Sequence, residues 1–298
     1  MKPRKQNNAS ADDAVMVAKR GQSREIIGRF LQNKAAVCGL VIASFLIFCA
    51  LFPQLLTSYD PLKQDLSVTF QPPSAEHWFG TDDQGRDIFA RVVYGCRYSL
   101  SIGLISVAIS CVIGVFLGAV SGYYSGTVDN VIMRFIDILM AIPNTLLGIS
   151  IVAALGPSIR NLIIAIAIGS ISAYARITRV SVLSVKDTEY VEAAYATGAS
   201  DARIIWKYVL PNCLAPIIVQ ATMSIATAIM TATGLSFLGL GVPAPTPEWG
   251  SMASSARSFF RDYWWLVTFP GLAIMASAFA FNLAGDGLRD ALDPKLKR

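Results

Sequence analysis

The chain has 298 residues, of which 54% are hydrophobic and only 15% are charged, and its net charge is +5. An average soluble domain carries roughly 25% charged residues, so this chain has too little charge to cover the surface of a soluble protein of its size. The composition therefore excludes an ordinary soluble domain and indicates a membrane protein. The positive charge reflects membrane orientation and predicts no nucleic-acid partner.

Long apolar stretches without charge divide the chain. Charged residues are absent from 35–56, 98–122, 161–175, 214–247 and 263–285. A further stretch, 131–155, contains only Arg134 and Asp137, both near its start. Because a bilayer core needs roughly 20 apolar residues per helix, the sequence predicts an all-α integral membrane protein with six transmembrane helices.

The distribution of Lys and Arg predicts the orientation. Six spans place both termini on one side, and 18 of the 25 Lys and Arg residues lie on that side, against 7 on the other. Since cytoplasmic loops carry the excess of basic residues, we expect both termini in the cytoplasm.

The predicted organisation follows these spans. It comprises a cytoplasmic tail with an interfacial helix (1–34), the first span (35–56), an external loop (57–97), a core of spans two to six (98–285) and a second cytoplasmic tail (286–298). Residues 1–22 are polar and predict disorder. Residues 23–34 suit either an interfacial helix or a continuation of the first span.

The second span carries small residues at every fourth position. These are Ser106, Ser110, Gly114, Gly118 and Gly122. Small residues at this spacing allow another helix backbone to approach closely, so they predict tight helix packing. The turn at 155–158 predicts that spans three and four form a hairpin, and the five scattered cysteines predict no disulfide framework.

The fifth span carries a polar stripe on one helical face. Its members are Gln220, Ser224, Thr227 and Thr231. Polar groups within a membrane face protein or a water-filled route. The stripe therefore suits either a wall of a translocation path or hydrogen bonding between helices. In the third span, Arg134 and Asp137 stand three residues apart, which favours an intrahelical ion pair over a gating role.

Several kinds of catalytic or metal site are missing from the sequence. No glycine is followed by lysine, so there is no phosphate-binding loop and we expect no ATP hydrolysis and no cofactor in this chain. His77 is the single histidine, which excludes a two-histidine zinc site. The acidic residues around Gly85 do not match a calcium-binding loop. If the chain transports a solute, its energy source is therefore expected to be another subunit.

The long internal loop, 176–212, carries nine charged residues and predicts two short cytoplasmic helices. Asp187 or Thr188 can cap the first helix, and Ser200 can cap the second. Gly198 stands where a left-handed residue ends a helix. An apolar face around Ile204, which also includes Ile205, Tyr208 and Val209, predicts docking into a groove of a partner protein, and Pro211 is expected to end the second helix.

Motifs in this loop resemble the EAA loop of bacterial ABC importer permeases. The matching residues are Glu192, Ala193, Ala194, Gly198, Ala199, Ile204, Leu210, Pro211 and Asn212. Three further segments, 77–89, 245–250 and 281–290, resemble the second ("C") permease subunit of dipeptide and oligopeptide importers in the peptide/nickel group. The resemblance extends from about residue 25 to the end of the chain.

This resemblance implies a type I ABC importer permease fold, a location in the inner membrane of a bacterium, and a set of partners. The partners would be a homologous permease that completes a heterodimer, two cytosolic ATPases that bind ATP and Mg²⁺, and an external substrate-binding protein. It assigns the matching loop residues to ATPase coupling, with the apolar face near Ile204 as the docking surface. It also makes two external segments candidates for contact with the binding protein or substrate, through Asp83, Arg86, Asp87, Glu248 and Trp249.

The expected cargo is a dipeptide or oligopeptide, because the matching segments are those of peptide permeases. Nickel, glutathione or another small solute stays open, since relatives with these cargoes share the permease motifs. A stand-alone carrier or an intramembrane enzyme is the competing hypothesis. The sequence offers it neither a nucleophile–base set nor a buried acid pair.

Overall fold

A computed structural model describes residues 25–292, and these residues form helices joined by turns. Five helices are long and apolar enough to cross a membrane, or six if one bent pair counts as a single span. The all-helical membrane fold is thereby confirmed, and the six predicted spans agree with the count that includes the bent pair. The predicted disordered tail, 1–22, and the last residues of the second tail, 293–298, lie outside the described residues.

Eleven helices are described in chain order. They are α1 (25–32), α2 (Lys34–Leu51), α3 (Ile88–Tyr124), α4 (Gly126–Ala141), α5 (Asn144–Leu155), α6 (Ile159–Val185), α7 (Glu189–Ala196), α8 (Asp201–Arg203), α9 (Leu214–Phe237), α10 (Trp249–Ser255) and α11 (Trp265–Leu292). A π-helical turn (Ile204–Val209) and a 3₁₀ turn (Leu210–Cys213) connect α8 to α9. All five cysteines are free.

The amino-terminal segment forms a helix separate from the first span. Asn33 ends α1 and caps α2, because its side-chain oxygen accepts hydrogen bonds from the amides of Ala35 and Ala36. Ile27 and Leu31 are exposed on α1. The break at Asn33 favours the interfacial helix over a continuation of the first span.

Helix α3 begins ten residues before the charge-free stretch that predicted the second span. Asp87 caps it by accepting a hydrogen bond of 2.7 Å from the amide of Ala90. Arg91 lies within the helix and is buried, and its guanidinium donates to the carbonyls of Pro61 and Pro245. The charge-free stretch begins later than the helix because Arg91 and Arg97 both lie in the first turns of α3. Arg91 is hydrogen-bonded inside the protein, and Arg97 is exposed.

The third predicted span is broken. Helices α4 and α5 meet at an angle of 86° around Pro143, whose ring cannot continue a helix from the preceding turn. The intrahelical pair predicted for Arg134 and Asp137 is wrong, because Asp137 instead accepts a hydrogen bond of 2.5 Å from Arg176 of α6. Spacing along one helix does not show which charges the neighbouring helix supplies.

The small-residue stripe of α3 packs against α6, as predicted. A side chain at Gly114 would lie 2.7 Å from the carbonyl oxygen of Ile171, and one at Gly122 would lie 2.9 Å from the Cβ of Val182. Ser106 donates across the interface to the carbonyl of Ile163 at 3.3 Å. The two helices therefore meet along their backbones and form a rigid pair.

Pro211 does not end the second helix of the internal loop, although the sequence predicted that it would. The chain continues from α8 through the π-helical and 3₁₀ turns into α9, and Pro211 occupies the first turn of the 3₁₀ segment. A proline is tolerated there because the first amides of a helical segment have no intrahelical acceptor.

Candidate functional site

The internal loop has a well-defined helix end. Gly198 has a φ of +80°, as its position predicted. Its amide donates to the carbonyl of Tyr195 at 2.9 Å, and the amide of Ala199 donates to the carbonyl of Ala194 at 3.1 Å. These two bonds form a Schellman motif, which ends α7 and turns the chain toward α8 at Ser200.

Thr188 caps α7, as one of the two predicted candidates, but its side chain does not make the expected capping hydrogen bond. Thr188 occupies the N-cap position, but its hydroxyl donates to the carbonyl of Val185 at 2.6 Å instead of accepting from the helix. Its backbone carbonyl accepts from the amides of Val191 and Glu192. Thr188 thus joins the end of α6 to the start of α7, so α7 is fixed to the end of a long helix.

The apolar face near Ile204 is not a docking surface, contrary to the prediction. Ile204 is 0% exposed, and Ile205, Val209 and Leu210 are also buried. They pack with Val182 and others near the carboxyl ends of α3 and α6. The hydrophobic pattern was correct, but its partner is the protein itself, because the loop folds back and builds its own core.

A different surface of the loop is exposed. Glu192 and Ala193 lie on the open side of α7, as does Gly198 beyond its end. Tyr195, which the sequence analysis did not select, is 71% exposed on the same helix, and Tyr190 is exposed one turn earlier. Two aromatic residues in a charged loop are an available signal for a contact surface, because tyrosine is enriched where proteins bind partners. We call the exposed residues Tyr190, Glu192, Ala193 and Tyr195 the α7 face.

The polar stripe of α9 bonds within its own helix. The amide of Gln220 donates to the hydroxyl of Ser224 at 3.1 Å, and Thr231 donates to the carbonyl of Thr227 at 2.9 Å. Thr227 is exposed and the other three are half-buried. Gln220 also lines a cleft of about 600 Å³ between α6, α9 and α11. The stripe therefore borders a cavity at its first residue.

Buried charges hold the first external loop, 57–97, against the start of α3. Arg86 donates to the carboxylate of Asp82 at 2.7 Å, and Asp87 lies 2.8 Å from Nδ1 of His77. Arg91 approaches the same Asp82 carboxylate at 3.6 Å. Each of these five residues is at least nine-tenths buried. They stabilise the external loop around the start of α3, because buried charges are tolerated only when they are paired or hydrogen-bonded.

Glu248 and Trp249 fix the second external segment to α3. Glu248 is 1% exposed and caps α10 by accepting from the amides of Gly250 and Ser251 at 2.8 and 2.7 Å. The indole of Trp249 donates to the carbonyl of Val92 at 3.0 Å. Burial raises the pKa of the Glu248 carboxyl, and the two amide bonds act in the opposite direction.

Burial therefore separates the five candidate external contacts. Arg86, Asp87, Glu248 and Trp249 lie inside the external structure, and Asp83 alone of the five has a substantially exposed side chain. The four buried residues can position the loops, but a binding protein could reach them only after rearrangement. Within residues 25–292, no cluster of three or more His, Cys, Asp or Glu could hold a metal ion.

Substitutions of Glu248 test its capping role. We expect Glu248→Ala to lower the free energy of unfolding by about 1–3 kcal/mol, because it leaves the buried amide of Gly250 and the half-buried amide of Ser251 without their acceptor. Glu248→Gln keeps one acceptor oxygen and should cost less. Because the raised pKa means that charging Glu248 is unfavourable in the folded state, the Gln variant should gain relative to the wild type as pH rises above the ordinary value of 4.5. Thermal unfolding in detergent at two pH values measures both effects, and equal losses for Ala and Gln would contradict the capping role.

Comparison with known families agrees with this arrangement. The family described as "binding-protein-dependent transport system inner membrane component" matches residues 114–298, well over half of the chain. The family described as "N-terminal TM domain of oligopeptide transport permease C" matches residues 21–73.

Individual relatives match over almost their full length. The chain is 50% identical over 274 residues to the dipeptide transport system permease protein DppC of Alkalihalophilus pseudofirmus, covering 92% of this chain and 90% of that protein. It is 46% identical to the di/tripeptide transport system permease protein DppC of Pseudomonas aeruginosa, covering 98% of each. It is 42% identical to the oligopeptide transport system permease protein OppC of Bacillus subtilis, covering 97% of this chain and 96% of that protein.

Solved structures share the fold. An inward-facing structure of the MetNI methionine ABC transporter superposes with a TM-score of 0.57 at 18% identity, covering 68% of this chain and 96% of the compared chain. An amino acid ABC transporter gives a TM-score of 0.53 at 15% identity, covering 67% of this chain and 94% of the compared chain. At these identities the likeness concerns the fold alone, and the fold is that of ABC importer permeases.

Proposed function

Since this chain belongs to the family of binding-protein-dependent transport system inner membrane components, and is thus a permease subunit of an ABC importer, we propose that it imports short peptides and couples their passage to ATP hydrolysis through residues 176–212. The observation that carries the coupling assignment is the rigid end of α7. A Schellman motif at Gly198 ends this helix, and its α7 face is exposed beyond the inner ends of α3 and α6.

The loop residues proposed for coupling fall into two groups, those exposed to a partner and those that support the loop. Glu192, Ala193 and Gly198 lie on the open side, where a partner ATPase can reach them together with Tyr190 and Tyr195. Of the remaining candidates, Ala194, Ile204 and Leu210 are buried, Ala199 is half-buried and Pro211 is exposed. The proposal therefore assigns docking to the α7 face and support of the loop to Ala194, Ile204 and Leu210.

The proposed translocation path follows the stripe of α9. Gln220, Ser224, Thr227 and Thr231 supply amide and hydroxyl groups that can hydrogen-bond to a peptide backbone. The same helix borders the inner cleft, so the stripe has an opening at one end. A homologous permease would complete the path as a heterodimer, because a single chain leaves this face of α9 partly exposed.

The proposed orientation places both termini and the α7 face in the cytoplasm. Asn33, at the start of α2, lies 3.4 Å from Asp290 near the end of α11. Arg289 of α11 and Asn212 before α9 border the same inner cleft. The start of α2, the start of α9 and the end of α11 therefore lie on one side of the protein. Most of the Lys and Arg residues lie in the segments next to these ends, which supports the cytoplasmic assignment.

Dipeptides and oligopeptides are the proposed cargo because the relatives named above are permeases of such transport systems over nearly the whole chain. An external binding protein would deliver the peptide, and two ATPases carrying ATP and Mg²⁺ would drive it inward. Nickel, glutathione and other small solutes are the alternatives that a cargo experiment must separate from peptides.

Purification of the tagged chain from its native membranes tests the proposal. We expect a homologous permease and ATPase subunits to co-purify. Once the complex is in proteoliposomes with its binding protein, we expect ATP-dependent uptake of a labelled dipeptide, and no ATP-dependent uptake of Ni²⁺ or glutathione. Recovery of the chain without ATPase subunits would contradict the importer assignment. Uptake of Ni²⁺ or glutathione in place of the dipeptide would contradict the assignment of a peptide cargo but not the importer assignment.

A further inference from the structure

Helix α6 leads into the rest of the internal loop, residues 186–212, which we call the coupling loop. It ends at Val185, and only three residues separate it from α7. Because the glycine stripe of α3 packs on its backbone, we expect α6 and α3 to move as one unit if the loop moves. Any helix that follows this movement must therefore be attached to the α3–α6 pair.

Helix α4 has little apolar attachment of its own. Ile136 is its one buried residue, and it packs against Ile171 and Ala175 of α6, with the half-buried Ile132 and Met133 beside it. Val131, Phe135 and Ile138 are more than half exposed on the opposite face. Contact with apolar groups alone would hold α4 only at its middle.

Polar contacts fix the inner end of α4 to α6. The guanidinium of Arg179 donates two hydrogen bonds to the carboxylate of Asp129, at 2.6 and 2.5 Å, and Ser121 of α3 donates to the same carboxylate at 2.5 Å. Lys186, which follows α6, donates to Ser125 at 2.7 Å, and Ser125 immediately precedes α4. A bidentate arginine–carboxylate pair fixes relative orientation as well as distance.

A second pair lies further along α4. Arg176 donates to Asp137 at 2.5 Å, but both side chains are about half exposed. The side chains of Arg179 and Asp129 are 31% and 15% exposed, so solvent screens this pair less. The Asp129–Arg179 pair is therefore the stronger of the two attachments.

The other end of the α4–α5 segment reaches the helix of the proposed path. At Gly148 of α5, a side chain would lie 3.0 Å from Leu235 of α9. The segment thus extends from the ion pairs beside the coupling loop, through the bend at Pro143, to α9. It connects the side of α6 that moves with the loop to the helix that carries the polar stripe.

We propose that Asp129 and Arg179 are positioning residues for transport: their ion pair makes α4 follow α6, and so transmits movement of the coupling loop to the bent α4–α5 segment beside the path. This inference rests on the proposed function of residues 176–212. It predicts that breaking the pair leaves ATPase subunits bound and hydrolysing ATP, while less substrate moves for each ATP hydrolysed.

The test exchanges the charges in the full complex reconstituted with its ATPases and binding protein. We expect Asp129→Arg and Arg179→Asp each to lower the ratio of peptide imported to ATP hydrolysed by about 10-fold, in the range of ordinary coupling energies. The double variant, which restores the pair in reverse, should recover most of the ratio. Exchanging Glu25 and Arg29, an exposed pair in α1, is the matched control and should change nothing.

The readouts separate this inference from the proposed function. Loss of co-purifying ATPase in the single variants, with no recovery in the double variant, would show a purely structural role and overturn the inference. An unchanged transport ratio in the single variants would also overturn it. If substitutions at Gly198 fail to uncouple the complex while the ion-pair variants do, the loop assignment fails and the α4–α6 attachment stands.

Discussion

Replacing Gly198 with valine is expected to abolish peptide uptake while the chain still inserts and the complex still assembles. The φ of +80° at this position is one that a β-branched residue avoids, although no atom lies within 4 Å of the added Cβ. The strain, about 1–2 kcal/mol or more, falls on the turn that ends α7. We expect α7 to lose its fixed position and the ATPase to lose its stimulation by the loaded binding protein. Uptake and ATP hydrolysis in proteoliposomes measure both.

A matched glycine provides the control for this variant. Gly239 has the same φ of +80° and the same open surroundings, but it follows the end of α9 and lies outside the loop of residues 176–212. Gly239→Val should impose equal backbone strain without uncoupling. Gly198→Asn should retain part of the activity, because asparagine tolerates the left-handed conformation. Normal substrate-stimulated ATPase activity in Gly198→Val would count against the coupling role of the loop.

Replacing Gly118 with leucine is expected to prevent formation of a stable complex. A Cβ at this position would overlap the carbonyl oxygen of Ala175 and lie 2.8 Å from the Cβ of Thr178. Overpacking typically costs about 1–3 kcal/mol where side chains can adjust. Here the obstacle includes helix backbone, so we expect a larger loss. Yield of the assembled complex and thermal unfolding in detergent measure it.

The control for packing is a helical glycine with open surroundings. A Cβ added at Gly271 of α11 would have no atom within 4 Å, in contrast to one at Gly118. Gly271→Leu should therefore leave assembly and thermal stability near those of the wild type. Equal yields for Gly118→Leu and Gly271→Leu would contradict the account of the α3–α6 interface.

The sequence predicted most of the architecture because the relevant signals are local. Absence of charge identifies a span wherever it lies, and a stripe of small residues such as Gly114 and Gly118 predicts a close helix contact without naming the partner. The left-handed conformation of Gly198 was likewise predictable, because a helix end has its own chemistry. These features require no knowledge of tertiary contacts.

The features that the sequence did not show depend on pairing between distant segments. An apolar Ile204 fits both a docking surface and a core position. Only the folded loop shows that it packs against Val182 instead of a partner. Asp137 has a potential partner three residues away in Arg134, yet it pairs with Arg176 across the helix interface. Glu248 and Trp249 look like surface residues of a loop but are buried against α3. Burial follows from tertiary packing, so a pattern within one element does not reveal it.

Site-specific photo-crosslinking from the α7 face tests the central claim that this loop docks on a partner ATPase. A photoreactive residue at Tyr195, which is 71% exposed, should crosslink to an ATPase subunit in native membranes. The same residue at Leu66, which is 74% exposed in the external loop, should not. Crosslinking to the ATPase from Tyr195 and not from Leu66 is the predicted result. No ATPase adduct from Tyr195 in an assembled, transporting complex would contradict the claim.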